Sequence, residues 1–104
     1  MSRDVVAAMT AYTLELREAA RQREADVTAA TSIVPALFVR VLSARLDKQA
    51  RDDLSVREFV IGVARLGGFL ARKGDGLPGW QTLWRGWHNL LLLVDGAQLL
   101  RGGP

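Results

Sequence analysis

Apolar residues recur along the first part of the chain at the spacing of a helix. Val5, Met9, Tyr12, Leu16, Ala19 and Ala20 follow the i, i+3/i+4, i+7 rule, with no glycine or proline among them. Glu15, Arg17, Glu18, Arg21, Arg23 and Glu24 crowd the other side, where pairs such as Glu18 and Arg21 support a helix. The pattern predicts one amphipathic helix from residue 4 to about residue 30. Its far end should be solvated, because the stripe thins after Ala20.

A second helix is expected to start between Ser32 and Pro35, since proline suits a first helical turn. Val34, Leu37, Phe38, Val41 and Leu42 form its apolar side. The charged run Asp47 to Asp53 reads as a helix end or linker. Ser55-Val56-Arg57-Glu58 is a capping box, and Leu54 and Phe59 stand at the flanking positions of a hydrophobic staple. Phe59, Val60, Val63, Leu66 and Leu70 continue the third helix, which the pattern carries to Gly74, with Arg72 and Lys73 in its last turn. The Gly67-Gly68 pair weakens that helix by roughly 1 kcal/mol per glycine, so something should pack closely there. A turn over 74–79 leads to a fourth helix, about 80–100. No segment alternates as a strand does. The expectation is an all-α fold, a small bundle of about four helices without a sheet.

In that last helix Trp80, Leu83, Trp84, Trp87, Leu91 and Val94 share one stripe at ~100° per residue. With Phe59, Val63 and Leu66 of the third helix, Trp80, Trp84 and Trp87 are the expected structural core. The opposite side carries Thr82, Arg85, Asn89, Leu92, Leu93, Gly96 and Leu100, polar over two turns and apolar afterwards. A chain of 104 residues has room for one domain and little mass to cover both sides of a terminal helix. An apolar second side with glycine at its centre suits a close crossing with another chain. Asn89, Leu92, Leu93, Gly96 and Leu100 are therefore the candidate dimer interface.

Composition sharpens the contrast between the two halves. All ten glycines and all three tryptophans lie from Gly62 onward. Eight basic and eight acidic residues precede Leu54; six basic and three acidic follow, so the whole net charge of +3 sits in the second half. Arg72, Lys73 and Arg85 are the candidate phosphate contact, because a glycine turn exposes backbone N–H groups beside positive charge. Capping of the helix end explains Arg72 and Lys73 equally well. The absence of cysteine excludes disulfides and thiolate sites. The strongest apolar run, Leu90 to Val94, falls far short of the ~20 residues that span a bilayer, so a soluble, cytoplasmic chain is expected.

Motifs of chemistry are sparse. Gly74 to Gly79 matches G-x-G-x-x-G, but a helix precedes it where the dinucleotide fingerprint requires a strand. His88 has no carboxylate three or four residues away, and no nucleophile, base and oxyanion donors assemble. No catalytic residue, metal, cofactor or small-molecule substrate is expected.

One stretch is distinctive. Ala64-Arg65-Leu66-Gly67-Gly68-Phe69-Leu70-Ala71-Arg72-Lys73-Gly74-Asp75-Gly76, then Pro78-Gly79, Thr82-Leu83-Trp84-Arg85-Gly86, Trp87 and Asp95-Gly96, resembles the C-terminal dimerisation domain of bacterial insertion-sequence transposases. These are of the Tn-five-like, DDE type, and the likeness covers residues 54–99. It implies cut-and-paste DNA transposition, in which two protomers pair through C-terminal helices. It also implies a division into 1–53, a helical segment of unplaced origin, and 54–101, the dimerisation module. The family's RNase-H-like core with its carboxylate triad does not carry over. Nor does its Y-x2-R-x3-E-x6-K signature, since Tyr12 is followed three residues later by Glu15. The resemblance thus implies a non-catalytic fragment that pairs with itself or with a full-length transposase, inhibiting transposition through mixed dimers. The competing readings are a small basic DNA-binding regulator and a decayed remnant without a selected role.

Overall fold

Among the described residues four α-helices form where the pattern places them, but two stop early. The computed structural model describes residues 3–69 and 79–102, with the side chains of all but residues 3–6, 8 and 99–102. The helices are α1 (Arg3–Ala20), α2 (Ala36–Asp47), α3 (Val56–Leu66) and α4 (Trp80–Gly102). Among the described residues there is no strand, only an isolated bridge between Ala29 and Ser55. The fold is all-α.

The first helix ends at Ala20, not near residue 30, because its buried side ends there. Met9, Thr13, Leu16 and Ala20 face the core, whereas Arg21, Gln22, Arg23 and Glu24 are all exposed and give a longer helix nothing to lie on. The chain turns back through two 3₁₀ turns, Arg23–Asp26 and Ala30–Ser32, which bury Ala25 and Ala30. This return segment is held to the start of α3 by Ala30 N–H donating to Leu54 O (2.9 Å) and Val56 N–H to Thr28 O (2.8 Å). Arg57 Nε also lies 2.8 Å from Asp26 Oδ1, off the N–H direction, so the contact is an ion pair rather than an aligned hydrogen bond.

Pro35 caps the start of α2, and Lys48, in a left-handed conformation, ends it. The charged run after it is a loop. The buried Ser43 hydroxyl accepts from Arg51 N–H (2.8 Å) and donates to Arg51 O (2.9 Å), tying that loop to α2. At its exposed tip the Arg51 side chain donates to Asp53 at 2.9 Å, and this hydrogen bond holds the Asp53 carboxyl below its ordinary value.

The capping box forms as the sequence predicts. Glu58 N–H donates to Ser55 Oγ (3.1 Å) and Ser55 N–H to Glu58 Oε1 (2.9 Å), while Leu54 and Phe59 are both buried. Ser55→Ala is expected to destabilise the fold by about 1 kcal/mol. Urea unfolding measures it, and an unchanged midpoint would mean the cap contributes nothing.

The third helix ends at Leu66, well before Gly74. Gly68 N–H bonds Arg65 O and Phe69 N–H bonds Ala64 O, the paired bonds of a Schellman motif. Its left-handed position falls on Gly68, at φ 99°. The expected close packing is present one residue earlier: a Cβ on Gly67 would strike the Thr82 carbonyl oxygen and lie 2.9 Å from the Gly86 nitrogen of α4. One glycine turns the chain and the other lets α4 in. The remainder of the helix predicted to Gly74, with Leu70, lies outside the described residues.

Each helix contributes one aromatic ring to the centre. Trp87 of α4 is 1% exposed, stacked on Tyr12 of α1 (6.0 Å) and met at steeper angles by Phe38 of α2 and Phe59 of α3, both at 5.9 Å. Val39, Leu42, Val60, Val63, Leu83, Leu90 and Val94 complete the core. Residues on both sides of Leu54 therefore share it.

Candidate dimerisation surface

Helix α4 is held to the bundle along one side. Leu83, Trp87, Leu90 and Val94 are buried there, and Gly86 lies directly against the Val63 carbonyl of α3. The buried line runs through Leu90, while Leu91, which the stripe includes, is half-buried. Of the expected core residues, Phe59, Val63 and Trp87 are buried; Leu66, Trp80 and Trp84 are half-buried. Leu66 is the last residue of α3 and Trp80 the first of α4, so neither has a further turn to cover it. Trp84 is turned aside from the line Leu83–Trp87–Leu90.

These two tryptophans form the wall of a cleft instead. They stack at 5.8 Å, with the Arg17 guanidinium of α1 5.6 Å from the Trp80 ring and His88 edge-on to Trp84 at 5.9 Å. Gln81, Arg85, His88 and Asn89 complete a wide-mouthed cleft of 630 Å³.

The opposite side of α4 is only partly covered. Leu92 is 69% exposed, and nothing lies within 4 Å of where a Cβ on Gly96 would stand. Arg85, His88, Asn89 and Asp95 are exposed, and Leu93 is half-buried. Leu100 lies in the helix, its side chain outside the described set. Asn89 has a task the sequence did not disclose: its amide donates to Leu66 O at 2.7 Å, closing a carbonyl left open at the end of α3. Its partner is on another helix, so no local pattern signals it.

Of the three candidate phosphate contacts, only Arg85 is among the described residues. Arg72 and Lys73 lie outside the described residues, and Arg85 stands exposed on the outer side of α4. No helix of the described residues is long and apolar enough to cross a membrane.

The chain matches the family described as the transposase Tn5 dimerisation domain over residues 41–103, more than half its length. The match begins within α2, upstream of Leu54, and takes in α3 and α4. No solved structure matches the chain significantly.

Proposed function

We propose that this chain, which belongs to the Tn5 transposase dimerisation domain family, pairs two protomers through the outer side of α4 and serves DNA transposition by that pairing alone. The observation that carries the reading is the exposed Leu92 with open space beside it at the Cβ position of Gly96, on the helix side turned away from the core. Leu92 stands out on α4, where the other large apolar side chains that are described are buried or half-buried. Burying one leucine side chain contributes about 2 kcal/mol, and a two-fold contact counts it twice. Gly96 next to it lets a second backbone approach closely.

The activity is non-catalytic. A chain that pairs through this surface without contributing catalytic carboxylates forms mixed dimers with a full-length transposase. Such a dimer holds only one catalytic protomer, so synapsis of two element ends fails. The partners are accordingly a second copy of the chain or a transposase of the same family.

Gly96→Asp places a carboxylate at the proposed contact while leaving the core side of α4 untouched. It is expected to convert dimers to monomers in light scattering, with helical circular dichroism retained. A dimer mass unchanged by the substitution would refute this surface. Failure of the wild-type chain to co-purify with a full-length transposase would refute the mixed-dimer mechanism.

A further inference from the structure

The exposed side of α4 has an internal order. Gln81, Arg85, His88, Leu92 and Asp95 alternate spacings of four and three residues, the seam of a two-helix contact. At ~100° per residue they lie on the side away from Leu83, Trp87, Leu90 and Val94. The first half of this seam is basic and beside the aromatic cleft; the second half is apolar and acidic. Arg85 and Asp95 are both exposed, and neither has an ion-pair partner among the described residues.

We infer that the two copies of α4 run antiparallel, with the two-fold axis between His88 and Leu92, so that Arg85 of each protomer meets the partner's Asp95. The inference rests on the reading that α4 is the pairing helix and adds its direction and register. A parallel pair would set Arg85 on Arg85, His88 on His88 and Asp95 on Asp95, placing like charges opposite one another in two layers. An antiparallel pair reverses one seam against the other. In the proposed register Arg85 faces the partner's Asp95 twice, and His88 faces the partner's Leu92 twice. A slide of one heptad would set Leu92 against Asp95 and leave Arg85 without a carboxylate. Only the proposed register pairs the charges.

Shape agrees with charge. The cleft lined by Trp84, Arg85 and His88 then faces the segment that presents Leu92, a protruding apolar side chain against a 630 Å³ opening. Polar residues within such a seam fix register rather than add stability.

A charge exchange tests the register. Arg85→Glu and Asp95→Arg should each weaken self-association at least tenfold, about 1.4 kcal/mol or more, because each substitution creates two like-charge contacts per dimer. The double variant Arg85→Glu, Asp95→Arg should recover the wild-type dissociation constant to within about threefold. Sedimentation velocity across a concentration series reads all four chains, and recovery in the double variant is its own control for folding. A wild-type dimer that the single variants leave unchanged, or that the double variant fails to restore, would overturn the register and leave the α4 surface standing. A wild-type chain that is monomeric throughout would overturn both.

Discussion

Replacing Trp87 with alanine is expected to destabilise the chain by about 4 kcal/mol and to lower its melting temperature by on the order of 20 °C. Among the described residues the indole is the one side chain that meets an aromatic ring from every other helix: Tyr12, Phe38 and Phe59, all within 6.0 Å. Removing it opens a cavity that no single helix can close, since each neighbour is tied to its own helix. Domains of this size have total stabilities of only ~5–15 kcal/mol, so the variant sits close to the unfolding threshold at 37 °C. Trp87→Phe should lose much less. It keeps a ring in place and removes the indole N–H, which finds no acceptor among the described residues. Thermal and urea unfolding of both variants measures the difference. Equal losses would mean that the ring contacts do not hold the helices together.

Gly86→Ala is expected to destabilise by ~3 kcal/mol, although alanine is the better helix former by ~1 kcal/mol in an isolated helix. The reversal of sign comes from the crossing with α3. A Cβ at position 86 would lie 2.7 Å from the Val63 carbonyl carbon and 3.0 Å from Val63 Cγ1, and would strike the carbonyl oxygen itself. The obstacle is backbone, so a rotamer change does not relieve it; α3 and α4 must separate. Separation also disturbs Gly67, whose own missing Cβ faces the Gly86 nitrogen at 2.9 Å. The two glycines form one contact from opposite helices. Urea unfolding tests the claim, and a stabilised Gly86→Ala chain would show that the helices do not cross this closely.

The helices themselves were legible because each has a local signature. The capping box at Ser55, the apolar stripe from Met9 to Ala20 and the Gly67-Gly68 pair all report on neighbours within one turn. The structure departs from the local pattern where the deciding partner is remote. The stripe of the first helix fades after Ala20, but only the bonds from Thr28 and Ala30 to the start of α3 show that the chain turns back there. Leu70 prolongs the apolar period of the third helix past its glycines, and periodicity alone cannot weigh that against a left-handed Gly68. Val39, fully buried, lies outside the apolar side expected of α2, because α2 packs on both α3 and α4 and buries more than one narrow stripe.

The site was legible in outline for a similar reason. The outer side of α4 follows from helical geometry once the inner side is assigned, and Leu92 and Gly96 fall on it by either route. What the sequence could not supply was the division of labour among the polar residues. Asn89 closes the end of α3, Trp80 and Trp84 line a cleft, and Arg85 and Asp95 stand unpaired among the described residues. Net charge placed the basic excess in this half of the chain without saying which cations face outward. The family match reaches back to residue 41, within α2.

The central claim is that this chain exists as a pair joined through α4. Light scattering of the purified wild-type chain beside Gly96→Asp, over a series of concentrations, tests it most directly. The account predicts twice the 11.4 kDa of one chain for the wild type and 11.4 kDa for the variant. A wild-type mass of 11.4 kDa at every concentration, or a variant that remains dimeric, would contradict it.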